Sequence, residues 1–169
     1  MDYILKLVDK TPYVWWKGGQ STFQETAPFY CKTLPSVSTV QTNGTNCAGL
    51  INLIQLTRGL EVPGVSTNEY YAGGTYVWFE HLKDKLKPID VTKSYAAGSL
   101  LLRQFRSEED QGHLAVLYTS GPLLEQRLLH SYPDKGVAID DTVKESHDWI
   151  KEGYYEYIVE NWFFLPPSA

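Results

Sequence analysis

Residues Asn43-Gly44-Thr45-Asn46-Cys47-Ala48-Gly49-Leu50-Ile51-Asn52-Leu53-Ile54-Gln55-Leu56-Thr57-Arg58-Gly59 read as a turn that feeds a strong helix. Thr45 or Asn46 supplies an N-cap oxygen, and Gly59 ends the helix. Cys47, Leu50, Ile51 and Ile54 recur at i, i+3, i+4 and i+7, the spacing of one helical face. Leu53 and Leu56 carry the apolar surface around most of the circumference. A helix of that kind packs on more than one side, so it is expected at the centre of the fold.

On the N-terminal side, Asp2 to Val8 reads as a short helix with Asp2 as its cap, and Pro12 stops it. Residues 17–45 are rich in Gly, Ser, Thr, Gln and Pro with little periodicity, and are expected to form a long loop. On the C-terminal side, Gly73-Gly74 precedes a second helix predicted over Thr75 to Leu86. Beyond Pro88 the texture changes. Ser99 to Phe105, His113 to Tyr118, Arg127 to Ser131 and Gly136 to Asp140 are branched or aromatic runs separated by turn signals, hence strands. A short amphipathic helix fits Thr142 to Ile150, and a last strand fits Tyr154 to Val159. Helices first and strands later predict an α+β fold, with helices packed on one side of a C-terminal antiparallel sheet.

At 169 residues the chain is expected to be one domain over 1–169, large enough for a full core. Apolar residues at 43% and charged residues at 21% are ordinary for a soluble globular protein. A net charge of -5 without a basic stripe argues against nucleic acid as a partner. No apolar run approaches the roughly 20 residues of a membrane span. Met1-Asp2-Tyr3-Ile4-Leu5-Lys6 lacks the form of a secretory signal, so a cytoplasmic location, or export by another route, is expected. Two cysteines, Cys31 and Cys47, do not make a disulfide scaffold, and the paired spacing of a zinc site is missing. No metal or cofactor is expected.

Three residues carry the chemistry. Cys47 begins the central helix, where free N–H groups and about half a positive charge favour thiolate over thiol. The same N–H groups are placed to hold an oxyanion. The plain alternative is a buried small apolar residue. His113 opens the apolar strand His113-Leu114-Ala115-Val116-Leu117-Tyr118, which sets an imidazole at the rim of a sheet. His130 lies in the next strand, Leu128-Leu129-His130, from which it could orient the first ring. Structural hydrogen bonding is the alternative for either histidine.

These elements, in this order, resemble the NlpC family of papain-like peptidases, which cleave bacterial cell-wall peptides. Thr11-Pro12-Tyr13-Val14-Trp15-Trp16-Lys17-Gly18-Gly19 is similar to the family's opening Pro-Tyr element. Asn46-Cys47-Ala48-Gly49-Leu50-Ile51 resembles its Asp-Cys-Ser-Gly-Leu-Val helix start, and Gly98-Ser99-Leu100-Leu101 its Gly-Asp-Leu strand. His113 to Tyr118 resembles its His-Val-Gly-Ile-Tyr strand. Leu129-His130-Ser131, then Gly136-Val137, resembles its Ile-His-Ala strand and the Gly-Val after it, and Tyr154-Tyr155-Glu156-Tyr157 its last strand.

The resemblance implies a papain-like fold with Cys47 as nucleophile, His113 as general base and His130 as the third polar residue. It implies that Tyr13 offers its hydroxyl to the oxyanion, and that Trp15, Trp16, Asn46, Ala48 and Gly112 border the substrate. The implied substrate is a peptide or peptidoglycan fragment, with a γ-D-glutamyl linkage as first choice. Departures are Asn46 for Asp, Ala48 for Ser, Ser99 for Asp, the long loop up to Thr45, and an insertion around Pro122. Two other readings remain open on the same fold: an amidase or acyltransferase acting on a lipid or modified protein, and a catalytically silent binding or structural protein.

Overall fold

The central helix forms because its two ends are satisfied and nearly all of its surface is apolar. In the computed structural model, which describes residues 1–14, 33–69, 71–107, 109–140, 142–144 and 155–163, helix α3 spans Cys47–Thr57. Asn46 is the N-cap, its side-chain oxygen accepting from Gly49 N at 2.7 Å. Gly59, at φ +72, follows the last turn. Every residue from Cys47 to Gln55 is buried. Two of these, Asn52 and Gln55, are polar, and both ends of the Asn52 amide are paired. Its Nδ2 donates to Gly73 O at 3.0 Å, and its Oδ1 accepts from Trp78 Nε1 at 2.6 Å. That pairing ties α3 to helix α4, Thr75–Leu82.

The other helices are shorter. Helix α1 is Asp2–Leu5, with Met1 rather than Asp2 at the cap, so the expected helix to Val8 is a single turn followed by turns. Helix α2, Val37–Asn43, lies inside the segment expected to be loop throughout. Ser36 caps it, accepting from Thr39 N at 3.2 Å, and Val40 is its buried residue. A Ser/Thr-rich turn with one buried apolar residue leaves no periodic signature, which is why composition alone reads it as loop. The segment 15–32, with Trp15, Trp16 and Cys31, lies outside the described residues, as do 145–150 of the helix expected over Thr142 to Ile150.

Among the described residues eight strands follow: β1 Lys87–Pro88, β2 Ser94–Tyr95, β3 Leu100–Arg103, β4 His113–Leu117, β5 Gly121–Pro122, β6 Leu128–Tyr132, β7 Gly136–Asp140 and β8 Tyr157–Val159. Six form an antiparallel sheet in the order β1-β8-β3-β4-β6-β7, while β2 and β5 pair separately. The insertion around Pro122 is thus β5 and a 3₁₀ turn over Leu123–Glu125.

The pleat sends alternate residues to opposite faces. Leu100, Leu102, Leu114, Val116, Leu129 and Val137 pack with Leu50, Leu53, Trp78 and Leu82 of the helices. Leu101, Ala115, Leu117, Leu128 and Ile158 pack on the other face against Tyr95, Leu123, Val143 and Tyr155. Because both faces are covered, β3, β4 and β6 are buried at every position rather than at every second one. The fold is α+β, with the helices on one face of an antiparallel sheet.

Candidate active site

The approach to Cys47 is built by close packing of backbone. Gly44 has φ +80, and a Cβ there would lie 2.3 Å from Val14 Cγ2 and 2.8 Å from Pro12 O. With no side chain at 44, the N-terminal segment lies alongside. Thr45 N donates to Pro12 O at 3.0 Å and Val14 N to Thr45 O at 3.4 Å, forming a bridge that sets Tyr13 beside Thr45. Cys47 is 8% exposed at the first position of α3. In a helix the first N–H groups have no intrahelical acceptor, and Cys47 and Ala48 hold the first two positions of α3. Burial pushes the Tyr13 hydroxyl above its ordinary pKa, and the negative charge of a Cys47 thiolate pushes it the same way. Tyr13 therefore stays a neutral donor at neutral pH, within electrostatic reach of Cys47. Asn46 uses its side-chain oxygen on the helix, and Ala48 is buried in the helix-side core.

The two histidines meet. His113 Nε2 and His130 Nδ1 are 2.8 Å apart, with the rings nearly perpendicular at 78°. The β4–β6 register pairs Val116 with Leu129 and Leu117 with Leu128. By pleat parity His113 on β4 and His130 on β6 fall on the face of Leu117 and Leu128, which that register pairs. The other nitrogen of His130, Nε2, lies 2.6 Å from Asp140 Oδ2. Asp140 Oδ1 accepts from the Tyr132 hydroxyl at 3.2 Å, and the Tyr132 ring lies across His130 with centroids 4.6 Å apart. Burial and the Asp140 carboxylate raise the Tyr132 hydroxyl to about 12. His130 is fully buried, and His113 is 6% exposed.

By pleat parity this row shares the face of Ala115 and Leu117, and the His113 ring sits 6.0 Å from that of Tyr155 on the same side. Helix α3 packs on the opposite face of β4 and β6. Ser131, next to His130, points to the helix side and donates from Oγ to Thr45 O at 2.9 Å. Because β4 and β6 run antiparallel, Ser131 near the end of β6 lies toward the end of the sheet where β4 begins with His113. The structure therefore brings together two pairs, Tyr13 with Cys47 and His113 with His130, and ties their elements through Ser131 and Thr45.

The turn into His113 is also braced. Buried Arg103, opposite His113 on β3, pairs through Nη1 with Asp110 Oδ1. Gly112 N donates to the same oxygen at 3.3 Å. Arg106 Nη1 reaches Asp110 Oδ2 at 3.3 Å, and Arg106 Nη2 reaches Glu156 Oε1 at 3.1 Å. Gly112, at φ +85, lets the chain pass over β3, since a Cβ would be 2.3 Å from Arg103 O.

Asp140, Tyr132 and the Arg103–Asp110 pair are the residues that sequence reasoning missed. Asp140 ends the strand Gly136-Val137-Ala138-Ile139-Asp140 as a carboxylate after four small or apolar residues, a signal that marks a polar strand end but not its partner. Among the described residues no cluster of His, Cys, Asp and Glu is grouped to hold a metal ion, and no helix is long and apolar enough to cross a membrane.

No family model and no curated protein matches the chain. A solved structure of a lipoprotein-like protein of the NLP/P60 family from Staphylococcus aureus superposes with a TM-score of 0.46 at 18% identity. The match covers 95% of this chain and 40% of that one, so the chain spans less than half of that protein's length.

Proposed function

We propose that this chain is a papain-like cysteine hydrolase of the NlpC type that cleaves an amide bond in a cell-wall-type peptide. The observation that carries the reading is the buried hydrogen-bonded row from Asp140 through His130 to His113, at the sheet end where the helix headed by Cys47 comes down. A thiol, an imidazole and a group orienting that imidazole are the parts that thiolate acyl transfer requires.

The steps follow from the atoms. His113 Nε2 faces His130 Nδ1, and the proposal assigns the other ring nitrogen, Nδ1, to the sulfur. The Cys47 proton passes to His113 Nδ1, and the field of the helix N-terminus favours the resulting thiolate. The sulfur adds to the amide carbon. The oxyanion is held by the backbone N–H of Cys47 and the neutral Tyr13 hydroxyl; one such donor is worth about 2.7–4 kcal/mol. The C–N bond breaks as the proton on His113 moves to the departing nitrogen. Water then adds to the thioester with His113 taking its proton, the C–S bond breaks, and the proton returns to sulfur. This route requires Cys47 Sγ to meet His113 Nδ1 at the start of β4.

The test is incubation with digested peptidoglycan, read by mass spectrometry, for the wild type and Cys47→Ala. New stem-peptide fragments from the wild type alone support the reading. Identical digests from both overturn cell-wall hydrolysis.

A further inference from the structure

We infer that Asp140, held by Tyr132, is a positioning residue that fixes the tautomer of both imidazoles and so makes His113 Nδ1 a proton acceptor. The inference rests on the reading of His113 as base, and adds what decides which of its nitrogens carries the lone pair.

The chain of reasoning is one of donors and acceptors. An ionised carboxylate only accepts. At 2.6 Å from Asp140 Oδ2, His130 Nε2 must therefore carry a hydrogen. In the neutral ring Nδ1 is then an acceptor, and its neighbour at 2.8 Å, His113 Nε2, must be the donor. A neutral His113 protonated on Nε2 has its lone pair on Nδ1. One carboxylate thus determines the proton positions of two rings in series. Removing its charge removes the determinant, because an amide in its place can donate or accept.

Tyr132 makes the arrangement persistent. Its hydroxyl donates to Asp140 Oδ1, so the second carboxylate oxygen is also held and the group cannot turn away from His130. Its ring covers the His130 imidazole, and no side chain stands opposite Tyr132 on β7, where the register pairs it with Gly136. Its hydroxyl keeps its proton well beyond neutral pH, so it remains a donor. His113, His130, Tyr132 and Asp140 are each 9% exposed or less, which protects the chain from exchange with water. A buried network of this kind polarises along its length.

Nitrogen-15 NMR of the whole protein at a pH where both rings are neutral reads the tautomers directly. The expected spectrum shows protonated Nε2 and unprotonated Nδ1 for both His113 and His130; an Nδ1-protonated form of either ring in the wild type overturns the inference. Asp140→Asn should shift both rings toward the Nδ1-protonated form and slow iodoacetamide alkylation of Cys47 at least about tenfold, since a positioned general base is worth roughly 10²–10⁴ in rate. A folded Asp140→Asn variant that keeps the wild-type tautomers also overturns it. Failure of the hydrolase reading appears separately, as an alkylation rate at Cys47 that does not respond to His113→Ala while the wild-type tautomers are those expected.

Discussion

Ser131 Oγ donates to the carbonyl oxygen of Thr45 across 2.9 Å, and both residues are fully buried. The bond joins the strand that carries His130 to the turn that leads into Cys47. Two parts of the chain 86 positions apart are held by one hydroxyl, at the place where helix tip and sheet end meet.

Ser131→Ala should therefore loosen the site more than the fold. Thr45 O also receives Val14 N, so its loss of a partner is incomplete. The expected cost is about 1 kcal/mol in chemical denaturation, the usual net worth of a hydrogen bond. Alkylation of Cys47 should slow as well, because small displacements of reacting groups are costly in rate. Unchanged alkylation with the expected loss of stability would show that the bond serves packing alone.

His113→Ala removes the ring proposed to take the thiol proton. Alkylation of Cys47 by iodoacetamide at neutral pH should fall about 10²-fold or more, and selectivity for Cys47 over Cys31 should vanish. Peptide mapping by mass spectrometry follows both. A thiol equally reactive with and without His113 would remove that residue from the mechanism.

Tyr13→Phe separates activation of the sulfur from stabilisation of the oxyanion. Alkylation, which has no tetrahedral intermediate, should be nearly unchanged. Turnover should fall about 10²-fold, the typical loss of one oxyanion donor. Because the Tyr13 hydroxyl stays protonated above its ordinary range, the wild-type pH profile should show no limb from this group near pH 10.

Acid should loosen the turn that presents His113. Burial alone pushes the Asp110 carboxyl up, but the Arg103 hydrogen bond and charge, with Gly112 N–H and Arg106, hold it below the ordinary value. A carboxyl with a depressed folded pKa stabilises the fold above its unfolded pKa of about 3.9. That contribution is lost as pH falls through the lower folded value. Asp110→Asn should cost about 1–3 kcal/mol at pH 7, less than the roughly 3–5 of breaking a fully buried pair. The gap between wild type and variant should close as pH is lowered below about 4. A gap constant down to pH 2 would contradict the assignment.

Gly112→Ala meets both a positive φ and the Arg103 carbonyl. The strain should cost about 1–3 kcal/mol and displace His113, lowering thermal stability and Cys47 alkylation together. A variant as stable and as reactive as the wild type would mean that this turn does not set the histidine.

Five strands of the sheet were readable because they are apolar runs between turn signals, whereas the exposed edge strand β1, Lys87–Pro88, was not. Gly136 to Asp140 matches the prediction at both ends, and His113 opens its strand as expected. Boundaries moved where termini fray or turn: Thr75 to Leu86 shortens to Thr75–Leu82, and of the strand expected over Tyr154 to Val159, Tyr157–Val159 is strand, 155–156 are not, and Tyr154 lies outside the described residues. Helix α2 escaped notice because one buried valine in a Ser/Thr-rich stretch carries no period. Of the site, the order of Cys47, His113 and His130 was legible, since each begins or interrupts a strongly patterned element.

What the linear chain determined by itself is local: a capped, all-round apolar helix beginning at Cys47, and apolar strands, one opened by His113 and the next carrying His130. What only the tertiary structure decided is the partnership of groups distant in sequence. Strand pairing and pleat parity set His113 and His130 on one face, put Asp140 behind His130 and laid Tyr132 across it. The physical reason is that propensity acts over a few residues, whereas a hydrogen bond between side chains is made by the alignment of strands. No pattern in the sequence marks Asp140 as the acceptor for His130; the pairing of β6 with β7 does.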